Sequence, residues 1–278
     1  MDVPFPETSL LLQMLAMLLV IGGVAGALAG LLGVGGGIVL VPAFFYAFKT
    51  LGYDGPQLMQ ICLATSLATI IVTSLRSVLG HHRKGAVDWA ILRGWAPWIA
   101  AGALVGVLIA ANLRSTTLQG LFGALGVVIG LHLGFGRSEW RLGGAMPGGL
   151  ARALIAPVLG FVSVLMGIGG GGIGVSVMSL YNVPLHRAVA TAAGFGVTIA
   201  APSVLAFLFL EIAPGQRPPL TVGAVNLVAF AVVIAMTLIT APWGVRLAHA
   251  MNPKPLKRVF ALFLTLVALN MLRKALGW

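Results

Sequence analysis

Ten apolar runs, set apart by short polar stretches, restrict this chain to one class of fold. They span roughly residues 9–32, 37–48, 58–79, 89–111, 118–135, 151–167, 172–183, 187–210, 222–245 and 257–274. A membrane-crossing helix needs about 20 apolar residues. Only 8% of the 278 residues are charged and 59% are hydrophobic, whereas a soluble domain carries about 25% charged residues. The sequence therefore specifies an all-α integral membrane protein of about ten transmembrane segments. The net charge of +11 does not indicate nucleic acid, because the basic residues lie between the runs and not in one patch. Cys62 is the only cysteine, which excludes an internal disulfide and a cysteine-cluster metal site. The opening "MDVPFPETSL" has no Lys or Arg, a poor secretory leader, so the first run is expected to stay in the mature protein.

Lys and Arg divide unevenly between the two sides that these runs define. The side opposite the N-terminus holds Arg83, Lys84, Arg137, Arg141, Arg152, Arg187, Arg246, Lys254, Lys257 and Arg258, ten in all. The N-terminal side holds five, Lys49, Arg114, Arg217, Arg273 and Lys274. Excess Lys and Arg marks the cytoplasm. Both termini are therefore expected outside, which in the inner membrane of a bacterium means the periplasm.

The second and seventh runs have about 12 residues, or about 18 Å of helix, well short of a ~30 Å hydrocarbon core. Each directly follows a glycine cluster. "AGLLGVGGGIVLV" (29–41) matches "SVLMGIGGGGIGV" (163–175) at an offset of 134. "CLATSLATI" then matches "AVATAAGFG", pairing Thr65 with Thr191, and Gly85-Ala86-Val87 matches Gly223-Ala224-Val225. The chain thus reads as two five-segment repeats, 9–135 and 151–274, joined by a cytoplasmic linker at 136–150. An odd number of spans inverts the second repeat, a transporter plan in which substrate sits where broken helices of both halves meet. Glycine costs a helix about 1 kcal/mol against alanine, so the clusters mark breaks. A helix that restarts inside the membrane presents unpaired N–H groups and a partial positive charge. Gly33, Gly35, Gly36 and Gly37, with Gly167, Gly169, Gly170 and Gly171, are the expected anion site. Alanine at Gly36 or Gly170 is expected to spare folding and impair anion binding. Gly22, Gly26 and Gly30, like Gly126, Gly130 and Gly134, are spaced for helix packing.

Thr65, Ser66 and Thr191 are candidate substrate hydroxyls, although a membrane Ser or Thr also bonds its own helix. Arg76 and Arg93 fall inside runs and can either face a pathway or snorkel to the interface. His81 and His132 are candidates for charge or proton coupling. The six acids, Asp2, Glu7, Asp54, Asp88, Glu139 and Glu211, all lie in loops or at run ends. Cation transport and a carboxylate proton relay would bury acids. "GIGGGG" (167–172) fits a dinucleotide fingerprint, but it lacks the strand and the βαβ setting that motif needs. No catalytic pattern stands out, and no cofactor or metal is expected.

With "GLLGVGGGIVLVP", "LATS" and "GHHRKGAVDW" in one half and "LMGIGGGGIGV" and "VPLHRAVATAAG" in the other, the chain resembles the sulfite exporter TauE/SafE family of permeases over nearly its whole length. The resemblance implies a transporter of sulfite, sulfonates or related sulfur-containing anions across a bacterial inner membrane. The family's proline in the first motif is Pro42; the aligned place in the second is Ser176. The family's Thr-Ser pair is Thr65-Ser66 in the first half but Thr191-Ala192 in the second. The leading expectation is a secondary transporter exporting a small sulfur oxyanion. An anion channel with the same site and a membrane-embedded sulfur-handling enzyme are the alternatives. The expected partners are the anion and the lipid bilayer; the sequence does not fix the oligomeric state, a homodimer being one option.

Overall fold

A computed structural model describes residues 8–32, 36–135, 141–250 and 253–278. Ten helices occupy the ten apolar runs: α1 (Thr8–Leu32), α2 (Gly37–Thr50), α3 (Leu58–Arg83), α4 (Trp89–Asn112), α5 (Ser115–Phe135), α6 (Gly149–Leu165), α7 (Gly171–Leu180), α8 (Leu185–Leu208), α9 (Leu227–Ala250) and α10 (Pro253–Ala275). Six of them contain stretches long and apolar enough to cross a membrane. α2 and α7 are the short pair, with 14 and 10 residues.

The helix boundaries fall within five residues of the runs, and the largest shift is at α9, which both starts and ends five residues later than the run 222–245. The ninth run is not helical from residue 222. Thr221–Val222 (β1) pairs antiparallel with Val225–Asn226 (β2), and α9 starts only afterwards. Gly223, at φ +55°, supplies the left-handed turn between them.

α3 and α8 form the centre, packed on each other. α1 lies along α9, α4 along α6, and α5 along α10. The glycines set these pairs. A side-chain carbon on Gly22 would sit 2.9 Å from Met236 Cβ, and one on Gly26 would sit 2.7 Å from Thr237 Cα. Both ascend together, so α1 and α9 are parallel. Gly102 abuts Pro157 and Gly106 abuts Phe161, which makes α4 and α6 parallel too. Gly126 and Gly130 meet Ala268 and Thr265, so α5 and α10 are antiparallel. Small residues allow this close approach, which in lipid supplies dispersion contact where no hydrophobic force drives helices together.

The candidate site

Both glycine clusters interrupt the helical path. Gly33 and Gly35 lie outside the described residues. Gly36 caps α2 at φ +69°, and its carbonyl accepts from the amides of Val39 and Leu40 at 3.0 and 3.2 Å. In the second cluster α6 closes on Gly167 at φ +58°. The Gly167 amide donates to Val164 O at 2.8 Å and the Ile168 amide to Ser163 O at 2.9 Å, the paired bonds of a Schellman ending. Gly170 then caps α7.

The two breaks touch. A side-chain carbon on Gly37 would lie 2.7 Å from the carbonyl oxygen of Gly167 and 3.1 Å from Ile168 Cα. Ser66 holds the contact from α3, its hydroxyl donating to the Gly167 carbonyl at 2.8 Å. That bond is fully buried, and so is Ser66.

Beside this crossing lies a cavity of about 470 Å³ between α3, α8, α9 and the second break. Gly169 and Gly171 form its inner wall, with Thr73, Ser74, Arg76, Ser77 and His81 of α3, and Thr237 of α9. Among the described residues its lining holds an arginine and a histidine but no carboxylate. The ion pairs among the described residues are Lys49–Asp54 at 2.9 Å and Arg187–Asp88 at 3.2 Å; neither involves Arg76. A smaller pocket of about 30 Å³ reaches Gly36 and shares Ala29, Thr73 and Thr237 with the larger one.

The sequence candidates therefore separate. Arg76, His81, Gly169 and Gly171 meet in one cavity, with Gly36 next to it. Gly37, Gly167 and Gly170 are enclosed behind it by packing. Arg93 is exposed on α4, over the ring of Trp89 at 5.6 Å, and does not line the cavity. His132 is exposed on α5, also away from it. Thr65 and Thr191 have equivalent roles that sequence reading missed. The Asn226 amide donates to Thr65 Oγ1 at 3.0 Å, and the Asp88 amide donates to Thr191 Oγ1 at 2.9 Å. Asp88 caps α4 by accepting from the amides of Ala90 and Ile91. Asn226 serves α9 in the same way, accepting from the Ala229 amide. Each threonine thus ties a central helix to the start of another. The cavity hydroxyls Thr73, Ser74, Ser77 and Thr237 also escaped notice. Their i, i+3 and i, i+4 spacing along α3 from Thr73 and Ser74 to Ser77, on the face of Arg76 and His81, was the available signal.

Interrupted helices crossing inside an apolar bundle, beside a polar cavity, are the build of a multi-pass membrane transporter. The chain belongs to the sulfite exporter TauE/SafE family, whose model matches residues 18–271. A probable membrane transporter protein of Haemophilus influenzae is 28% identical over 256 residues, covering 92% of this chain and 97% of that one. One from Methanocaldococcus jannaschii is 24% identical over 263 residues, covering 94% and 96%. One from Bacillus subtilis is 26% identical over 274 residues, covering 90% and 93%. No solved structure matches the chain.

Proposed function

We propose that this protein is a secondary transporter exporting a small sulfur oxyanion, sulfite or an organosulfonate, from the cytoplasm. The observation that carries the reading is the cavity. Arg76 supplies positive charge, the His81 imidazole and the hydroxyls of Ser74, Ser77 and Thr237 supply polar groups, and among the described lining residues no acid competes with the ligand. The cavity ends at the start of α7, where the first turn of a helix presents free N–H groups. A fixed charge in a cleft with apolar walls raises the local concentration of its counter-ion. The anion would be drawn past Arg76 and bound against Gly169 and Gly171, close to Gly36.

Alternating access between two inverted repeats, 9–135 and 151–274, would move it. Exchanging each helix with its counterpart five places on turns the α1–α9 pair into α6–α4, both of them parallel pairs. It maps α3–α8 and α5–α10 onto themselves. It also turns the Thr65–Asn226 bond into Thr191–Asp88. These correspondences support the repeat, with the short α2 and α7 in matching places.

The test is a thermal-shift panel on purified protein with sulfite, sulfate, thiosulfate, sulfoacetate, taurine and chloride. A ligand of the native state stabilises it by RT ln(1 + [L]/Kd), about 2.7 kcal/mol at a hundredfold excess over Kd. A sulfur oxyanion should stabilise the protein where chloride does not, and Arg76→Gln should weaken the response. No anion response in the parent protein would overturn the reading. Counterflow in liposomes, expected of a transporter and not of a channel, checks the mode of transport.

A further inference from the structure

The exchange of repeats also pairs cavity residues with counterparts, and most of the described counterparts are buried, although Leu104, opposite Pro242, is 42% exposed. At the alignment offsets of the three helix pairs, Ala29, Thr73, Ser77, His81 and Thr237 correspond to Ser163, Ile199, Ser203, Phe207 and Ile99. The first five line the cavity. The second five are each 0% exposed. They lie where α4 and α6 press on α8. There the ring of Trp95 stacks on Phe195 with centroids 6.5 Å apart, and Leu92 fills the space beside Gly194. The corresponding α3–α9 contact is shorter, and the cavity lies beside it. One half of the molecule is open where the other is shut.

A buried group in the shut half has no local explanation. Ser163 Oγ has no hydrogen-bond partner among the described residues. Buried hydroxyls are nearly always paired, and an orphan calls for a reason. Its counterpart, Ala29, lines both the cavity and the smaller pocket at Gly36. Water would satisfy Ser163 if its surroundings opened as those of Ala29 have.

We infer that the closed seam between α8 and the α4–α6 pair is a second anion vestibule, lined by Ile99, Ser163, Ile199, Ser203 and Phe207, that opens towards the N-terminal face. Opening it requires α4 to part from α8, while α3 and α9 close over the present cavity. Its walls offer the Ser163 hydroxyl, that of Ser203 donating to Ile199 O at 2.7 Å, and no charge, because the places of Arg76 and His81 are taken by Pro202 and Phe207. The inference rests on the alternating-access reading above.

Accessibility of single cysteines tests it. Cys62→Ala removes the only thiol, and Ser163→Cys, Ser203→Cys, Ser77→Cys and Ala268→Cys are then made one at a time. Ala268 is 0% exposed where α5 meets α10, outside both cavities, and serves as the buried reference. A charged, impermeant maleimide is applied to each face of sealed vesicles of known orientation. Even a minor open state, populated at about 0.1–10%, makes a vestibule thiol react faster than a core thiol. Ser163→Cys and Ser203→Cys should react only from the N-terminal face, at least about tenfold faster than Ala268→Cys. Ser77→Cys should react only from the opposite face. If Ser163→Cys fails to insert, Ser203→Cys alone decides. Serine-site thiols no faster than Ala268→Cys, with Ser77→Cys reactive, would overturn the second vestibule; an inert Ser77→Cys would overturn it as well, by removing the open cavity from which it is derived. No anion is present in the labelling. Failure of the anion panel therefore leaves this result standing, and failure here leaves anion binding at Arg76 standing.

Discussion

Gly36 and Gly170 hold matching places in the two glycine motifs, yet alanine meets different surroundings at each. A side-chain carbon on Gly36 would come no closer than 3.4 Å to a neighbour, Ala29 Cβ, so its main cost is the left-handed backbone at φ +69°. That conformation costs an L-residue about 1–2 kcal/mol. At Gly170 the added carbon would lie 2.6 Å from Phe195 Cβ and 3.3 Å from Ile199 Cδ1. Overpacking of this kind typically costs about 1–3 kcal/mol. The expectation that both substitutions spare folding is thus corrected for Gly170, whose neighbour is a packed helix. Gly36→Ala should give folded protein with a weakened response to the anion. Gly170→Ala should lower the unfolding temperature and the yield of monodisperse protein. Thermal unfolding with and without anion separates the two effects, and a Gly170→Ala protein as stable as its parent would contradict the packing argument. The motif singled out these glycines. It did not show why, because what each α-carbon touches comes from elsewhere in the chain.

The helices were legible in the sequence almost to their ends, since apolar runs bounded by charge and turn residues leave a membrane chain few options. The error at 222–226 has the same source. "TVGAVN" is as apolar as the start of a span, and only the backbone of Gly223 reveals a hairpin. The hydrogen bonds of Thr65 and Thr191 were hidden for a second reason: their partners lie 161 and 103 residues away. Matching threonines in a repeat suggested substrate hydroxyls, whereas both accept a bond from a helix-cap amide. Burial then ranks their importance. The Thr65–Asn226 bond is fully buried, and the Thr191–Asp88 bond only partly. A buried donor that loses its acceptor costs about 1–3 kcal/mol, whereas water can replace the acceptor at a wet site. Thr65→Val should therefore lower thermal stability clearly, and Thr191→Val less. Neither should selectively remove the anion response of folded protein. Loss of anion binding at unchanged stability would return these hydroxyls to the substrate site.

At the scale of the whole molecule, contacts gather the loops into two sets. At one end the Lys274 ammonium lies over the Tyr46 ring at 4.8 Å, the Asn270 amide donates to the Tyr46 hydroxyl at 2.7 Å, and the Ser115 amide donates to Pro56 O at 2.9 Å. Lys49 pairs with Asp54 there as well. At the other end Arg187 meets Asp88, and Arg141 reaches Asn182 at 3.4 Å. Each of these contacts joins loops or helix ends that the order of the apolar runs places on the same side, the sides to which the sequence assigns five and ten basic residues. α1 runs parallel to α9, and α10 runs antiparallel to α5, which begins at Ser115. The start of α1 and the end of α10 therefore belong to the side with five. Positive charge is retained on the cytoplasmic side during insertion, so the N- and C-termini should both face the periplasm, and the mouth beside Arg76 and His81 should face the cytoplasm, where an exported anion must enter. Alkaline phosphatase fused to the C-terminus should be active, and a fluorescent protein that matures only in the cytoplasm should stay dark there. A bright C-terminal fusion would invert the orientation. The same cavity would then open to the periplasm, and the second vestibule to the cytoplasm.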